Sequence, residues 1–457
     1  MKHLFEVGVL TRHAATVWVG QVAIMGFGLA DTLIAGRHSD AALAALSVGS
    51  AVYISVYVAL LGLLQAQLPI WAEMRGAGHH AELGVSVRQG VYLMLFATVL
   101  GWCGLLTAPA LLAWTDVPEA MRPMVGDYLD VVAVGLLPTL AFRLFSTLNQ
   151  ALGKPKLVTW VQAGALCLKV PLSWWFAFGG LGLPAGGAVG CAWATVVVTT
   201  GMVLLALFLV HTQALYQPFD LWRRLERPDL ARLREFARLG VPNSLTVLIE
   251  VTSFTLMALF VARLGTQSAA AHQIASNLAA MLYMLPLAAG IATSARVSYW
   301  RGAAREDLAR AALLTGMELT IGAALLTALA CGLFHRELAN LYASTPETAA
   351  AAATLILWVA LYHLPDAVQA MCMFVLRSYR VTIAPLLIYT VLLWGLGLAG
   401  GYVLAYHGFG PISAMQSASA FWIASTLALA LTAVLFVALL WRATRSIQSA
   451  APHATPP

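Results

Sequence analysis

The sequence predicts an all-α polytopic membrane protein: twelve transmembrane helices in two six-helix lobes, related by a pseudo-two-fold axis along the membrane normal. Three observations carry that prediction. Of the 457 residues, 60% are hydrophobic and only 10% charged, with mean hydropathy +0.81, whereas soluble domains are about 25% charged. Twelve apolar stretches are each long enough to cross a hydrocarbon core of about 30 Å at about 1.5 Å per helical residue. Lysine and arginine fall on alternate connections, as insertion requires.

Taken in order, the spans are expected near 14–36, 44–70, 89–112, 124–148, 157–178, 187–211, 239–262, 274–295, 311–333, 350–376, 383–406 and 416–440. No short apolar core with a cleavage site precedes the first, so no removable signal peptide is expected. Connections are short except at 212–238, where Arg223, Arg224, Arg227, Arg232, Arg234 and Arg238 mark an amphipathic or loop linker. The expected organisation is an N-terminal lobe 1–211, a cytoplasmic linker 212–238, a C-terminal lobe 239–445 and a small polar tail 446–457 expected to be disordered. Trp18, Trp71, Trp102, Trp114, Trp300 and Trp441 fall at span ends and read as belt anchors.

With the N-terminus inside, 20 of the 26 basic residues lie on one set of loops. The opposite loops hold Arg37, Arg122, Arg263 and Arg336, while Arg143 and Lys169 lie within spans. One span more or fewer would invert the later loops and destroy the bias. Both termini are therefore expected in the cytoplasm of a multi-pass protein of the bacterial plasma (inner) membrane. The formal charge of +6 reports insertion, not nucleic-acid binding. The halves also echo each other: Ser39–Ser50 parallels Thr266–Asn277, and Pro138 parallels Pro365, both at an offset of 227. Six spans per half is even, so the repeats are parallel, with cargo expected near the midplane.

Charges inside the membrane are the functional candidates, because each is costly unless it faces a partner or a cavity. Glu250 lies midway between Arg238 and Arg263; Asp366 lies 11 residues before Arg377. Both are then roughly 17 Å in from the cytoplasmic side. Two carboxylates at one depth in one half suit a shared proton or sodium ion, since each disfavours the other's charge. The competing reading is a fixed partner that holds helices together, but no base lies at that depth in the second half. Asn243 and Gln369, at i−7 from Glu250 and i+3 from Asp366, are candidate lining residues of the same cavity. In the first half, Asp31 lies toward the outer face, with Lys169 and Arg143 near mid-depth. A lysine stem reaches about 6 Å, so Lys169 can pair with Asp31, or Arg143 can take that role. His272 and Gln273 open the eighth span near the outer face as further candidate lining residues, although a histidine there is more often an interface residue than a ligand.

No Walker-type glycine loop, zinc spacing or nucleophile elbow occurs, so neither an ATP-driven pump nor an enzyme is expected, and no cofactor. Cys103, Cys167, Cys191, Cys331 and Cys372 all fall inside apolar spans without paired or metal-like spacing and read as small core residues.

The run GFGLADTLIAG (26–36) resembles the first-helix signature of the multidrug and toxic compound extrusion (MATE) family, in its NorM-like branch. LPIWAEMRGAG (68–78), PLSWWFAFGGLGLPAGGAVGCAWAT (171–195), RLGVPNSLTVLIEVTSF (238–254), AAAHQIASN (269–277) and PDAVQAMCMFVLRSYR (365–380) are similar to that family as well. The resemblance implies a two-lobe antiporter that exports small organic cations against an H+ or Na+ gradient, working as a monomer among membrane lipids. It implies cation coupling and substrate binding at Asp31, Glu250 and Asp366. The branch carries asparagines on the fifth helix in a stretch like LNIPLN; here Lys169 and Ser173 take those positions. The alternative is an exporter of an endogenous metabolite or lipid-linked intermediate on a related fold, for which Arg143 and Lys169 would line an anion-friendly cavity.

Overall fold

The computed structural model describes residues 2–112, 118–180, 182–343, 345–408, 410–411 and 413–450. Among these, fifteen α-helices account for nearly the whole chain: α1 (Lys2–His38), α2 (Asp40–Gln65), α3 (Gln67–Gly76), α4 (His80–Leu112), α5 (Arg122–Ala151), α6 (Lys156–Phe178), α7 (Gly187–Thr212), α8 (Leu230–Ala262), α9 (Thr266–Gly302), α10 (Glu306–Leu333), α11 (His335–Tyr342), α12 (Pro346–Ser378), α13 (Ile383–Tyr389), α14 (Gly400–Tyr406) and α15 (Ser419–Ala450). Eleven segments among the described residues are long and apolar enough to cross a membrane. The twelfth span is α6, whose Gln162, Lys169 and Ser173 dilute its apolar character.

Local chemistry explains the helix ends. Ser39 caps α2 by accepting from the Ala42 amide, and Thr345 caps α12 by accepting from Thr348, with Pro346 at the first helical position. The second span is not one helix: it breaks at Ala66 between α2 and α3. Pro69 lacks the amide that would bond the Gln65 carbonyl, which accounts for the break. The eleventh span is also interrupted, with a π-helical stretch Thr390–Ala399 between α13 and α14. Gly395 and Gly397 within that stretch lower the resistance to the wider winding.

The boundaries around the linker and tail differ from the sequence reading. Helix α8 begins at Leu230 rather than 239, because the Asp229 side chain accepts from the Ala231 amide and caps it. The linker before it holds a 3-10 turn, Ala214–Phe219. Residues 220–229 are tied to α4: Arg88 donates to both Glu226 carboxylate oxygens (2.9 and 2.5 Å) and to the Asp220 carbonyl (2.6 Å). Tyr92 and Gln89 donate to the carbonyls of Glu226 and Arg227, at 2.8 and 3.0 Å. At the other end, α15 continues to Ala450, since 446–450 holds neither proline nor glycine; the remainder of the expected tail, 451–457, lies outside the described residues. Trp71 is not a belt anchor: it is fully buried and donates to Ser86 at 3.0 Å. Trp114 lies outside the described residues.

Contacts divide the chain into two units, Val19–Ser244 and the stretch from Leu245 onward together with the residues up to Trp18. The division falls inside α1 and α8, not in the linker, because both helices are longer than one unit's packing. In the first unit α5 is the hub, packed on α2, α3, α4 and α7; residues 144–151 are buried without a break. Its α2 and α8 segments meet through small residues. A Cβ on Gly62 would stand 2.8 Å from the Ser244 Cα, and one on Gly240 would stand 3.0 Å from the Leu63 carbonyl oxygen. Only glycines allow that approach. In the other unit α12 is the hub, packed on α9, α10, α11 and α15, with residues 369–378 buried throughout. These hubs are the helices that carry Pro138 and Pro365, the corresponding prolines of the repeat.

Candidate functional site

The acidic pair lies in the second unit. Asp366 follows Pro365 on the hub helix α12 and is 3% exposed. Gln369, one turn on, donates from Nε2 to Asp366 Oδ1 at 3.0 Å. Tyr389, the last residue of α13, donates its hydroxyl to Gln369 Oε1. Gln369 thus fixes Asp366 from one side and is itself fixed from the other. Glu250 comes from α8, half-buried, within electrostatic range of Asp366. No hydrogen bond or ion pair joins its carboxylate to any described residue. Tyr283, Tyr362 and Tyr389 each lie within electrostatic range of both carboxylates. The Trp394 indole donates to the Ile249 carbonyl at 3.1 Å, tying the π-helical stretch to the turn that carries Glu250.

This is a site of hard oxygen donors with more negative charge than partners. Two carboxylates crowded in apolar surroundings hold both charges at low cost only when a cation joins them. A proton or a sodium ion meets that need equally well on donor chemistry. No cluster of three or more histidine, cysteine or acidic side chains suited to a tight metal site occurs among the described residues.

In the first unit the structure joins Asp31 of α1 to Lys169 of α6. The ammonium is 0% exposed and donates to Asp31 Oδ1 (2.5 Å), Ser173 Oγ (2.7 Å) and the Cys191 carbonyl (3.1 Å). All three of its N–H donors are occupied. Ser173 also donates to Asp31 Oδ1 at 2.9 Å. The spacing follows from the helix: Lys169 and Ser173 are i, i+4 and share one face. The residues that depart from the LNIPLN pattern therefore build one closed triad.

The remaining candidates separate. Arg143, on α5, is not in that triad; it is 7% exposed and near Tyr57. Asn243 is buried and donates to the Gly62 carbonyl at 2.6 Å, so its amide fastens α8 to α2 rather than lining a cavity with Glu250. Its place one residue from Ser244, in the small-residue crossing, is the reason. His272 is 2% exposed: Nδ1 accepts from the Trp422 indole at 3.3 Å and Nε2 meets Ser276 at 3.3 Å, an interface role. Gln273 faces outward and bonds Asn277 at 3.0 Å. The tyrosines around the acidic pair were absent from the sequence candidates. Tyr362 was findable, four residues before Asp366 on the same helix face; Tyr283 and Tyr389 carry no such signal.

The MatE family model matches residues 17–175 and 242–403. A probable multidrug resistance protein NorM of Aromatoleum aromaticum is 37% identical over 430 residues, 94% of this chain and 92% of that protein. The multidrug resistance protein NorM of Vibrio vulnificus is 32% identical over 437 residues, 95% of each. Among solved structures, the eukaryotic MATE transporter AtDTX14 superposes with TM-score 0.87 at 18% identity, covering 98% of this chain and 99% of that one. The Vibrio cholerae MATE transporter VcmN in the bent form gives 0.83 at 18%, covering 97% and 98%. At those identities the structures speak to the fold, which is the twelve-helix fold of these transporters.

Proposed function

Because the chain belongs to the MatE family, we propose that it exports small organic cations, drugs among them, in exchange for H+ or Na+ by alternating access. It is a multi-pass bacterial membrane protein and a transporter rather than an enzyme. The basic bias of the loops supports a position in the inner membrane with both termini cytoplasmic, and the protein is proposed to act as a monomer. Relatives named for multidrug resistance favour drug export over export of an endogenous lipid-linked intermediate or metabolite.

The observation that carries this reading is Glu250, a carboxylate without a fixed partner beside buried Asp366. Cargo cation and coupling ion compete for that negative site. Bound ion and bound cargo then favour different openings, and a ligand drives such a switch only through its different affinities for the two states. Asp31 plays another part. The Lys169 ammonium already sits against it, a tethered cation where a mobile one would bind. Ion coupling then rests mainly on Glu250 and Asp366.

The test is efflux of a fluorescent cation from proteoliposomes under an imposed proton gradient or an imposed sodium gradient. Wild type moves the cation under one of them, and Glu250→Gln and Asp366→Asn do not. Transport that survives in both variants overturns the coupling assignment. No transport by wild type under either gradient overturns the function. Lys169→Asn is expected to change ion dependence; an unaltered dependence refutes the tethered-cation role.

A further inference from the structure

The segment 220–229 holds an apolar and basic surface in a fixed posture. Trp222 and Leu225 are 55% and 49% exposed, and Arg223, Arg224 and Arg227 are exposed around them. The segment is bonded along its length. Arg88 and Tyr92 of α4 bind Glu226, and Gln89 both donates to the Arg227 carbonyl and accepts from the Asp229 amide at 2.8 Å. Just before it, Tyr216 donates to Asn149 Oδ1 at 2.8 Å, and the rings of Phe219 and His80 meet at 5.5 Å. Holding a tryptophan and a leucine out into water costs free energy, so a surface built this way is made to be covered.

Helix α7 fixes the level at which the segment lies. Leu204, Phe208 and His211 fall on one face of that helix, and Leu204 and Phe208 are broadly exposed, a stripe that meets lipid. His211 closes the stripe, and the Trp222 ring packs edge-on against it, with centroids 5.4 Å apart and planes at 84°. Trp222 therefore stands where the hydrocarbon ends, the depth a tryptophan favours. The neighbouring arginines then extend from that level into the phosphate layer. Charge sets the sign of what they meet. The acids of the segment have bases of their own: Glu226 pairs with Arg88, and Asp229 with Arg232 at 3.4 Å. Arg223, Arg224 and Arg227 remain as surplus positive charge.

We propose that Trp222, Arg223, Arg224 and Arg227 form a headgroup site for an anionic phospholipid of the adjoining leaflet. The guanidinium groups take the lipid phosphate through parallel N–H···O bonds, and the indole and Leu225 enter among the upper methylenes of the acyl chains. The clamp from α4 keeps both parts in register. The site is independent of what the protein exports.

The test uses purified full-length protein in detergent micelles, titrated with phosphatidylglycerol or with phosphatidylcholine of the same chain length and read by native mass spectrometry. The preference is the ratio of the two dissociation constants for the first bound lipid. In the triple variant Arg223→Gln/Arg224→Gln/Arg227→Gln it is expected to fall at least tenfold, since each arginine at a charged surface is worth about fivefold. Arg310→Gln/Arg442→Gln/Arg445→Gln removes the same charge elsewhere and is expected to keep the wild-type preference. A preference unchanged in the first variant overturns the site, and an equal fall in both overturns it as well, because net charge then decides. Should the first variant misfold, Arg223→Gln/Arg224→Gln is read instead: a ratio equal to wild type overturns the proposal, and a reduced one supports it. Exchanging chloride for inorganic phosphate at constant ionic strength is expected to leave phosphatidylglycerol bound; displacement would make the ligand a soluble anion and overturn the lipid assignment. In vesicles, the emission that Trp222→Phe removes is expected to be quenched by phosphatidylcholine brominated near the top of its chains, and an unquenched difference would place the indole in water and overturn the docking.

Discussion

Removing the Lys169 ammonium tests the closed triad most directly. In Lys169→Met the side-chain volume is nearly kept, but Asp31 loses its only ionic partner among the described residues and retains the Ser173 hydroxyl at 2.9 Å. Ser173 loses the 2.7 Å bond from Nζ, and the Cys191 carbonyl loses its 3.1 Å donor. Breaking one partner of a buried pair costs about 3–5 kcal/mol, whereas replacing both by apolar or neutral groups is close to neutral. For a unit of this size each kcal/mol is worth roughly 2–4 °C, so the single variant is expected to melt on the order of 10 °C lower. Asp31→Asn, which strands the ammonium, should fall by a similar amount, and the double variant should return to within a few degrees of wild type. The assay is thermal unfolding of detergent-purified protein followed by size-exclusion fluorescence, analysed as a double-mutant cycle. A double variant as unstable as the sum of the singles would refute the pairing as an energetic unit.

Three further outcomes are expected. Gln369→Leu leaves Asp366 Oδ1 and the Tyr389 hydroxyl without their partner; it should lower stability by about 1–3 kcal/mol and weaken cation binding by fluorescence titration, and unchanged values in both would refute the positioning role. Arg88 holds the Glu226 carboxyl down at about 2, from the ordinary 4.5, so the ion pair's contribution to docking of the linker on α4 is complete above pH 4.5 and lost as pH falls toward 2. Hydrogen exchange of 220–229, corrected for intrinsic rates, should therefore be flat from pH 5 to pH 9 and faster in Arg88→Met throughout; because the Glu226 side chain is 36% exposed, the effect on global melting should be small. Gly240→Leu drives a side chain into the Leu63 carbonyl and should cost at least about 1–3 kcal/mol through overpacking; wild-type melting would show that the α2 and α8 crossing is not as close as described.

The span count, the linker's basic character and the acidic candidates were legible because each depends on a local property: apolar run length, loop charge, or an ionisable residue in an apolar run. What was not legible depends on three dimensions. Asn243 sits seven residues from Glu250 on the same helix, and helical spacing alone suggested a shared cavity. Its amide instead meets a carbonyl on α2, exposed to it because Gly62 and Gly240 let the backbones approach. The break at Ala66 had a local cause in Pro69, but apolar run length outweighed it. The π-helical winding of 390–399 carries only a glycine hint, and it holds Trp394, whose indole bonds the Ile249 carbonyl next to Glu250.

The two buried charge centres differ in one respect that decides what each can exchange. At the triad, every donor of Lys169 has an acceptor, and the cation is covalently part of the chain. Such a centre can be broken and remade, but its cationic side chain stays tethered to α6. At the acidic pair, Gln369 satisfies part of Asp366, while Glu250 has no bonded partner among the described residues, which leaves room for a cation from solution in the proposed exchange. A coupled exporter needs the second kind of centre, because a gradient does work only on an ion that crosses. The first kind is useful for another reason: it gives a carboxylate inside the membrane a built-in partner without drawing on the gradient. On that argument the substitution of Lys169 for an asparagine does not remove coupling from the protein. The proposed coupling then rests on the unit in which α12 places Asp366 and α8 places Glu250.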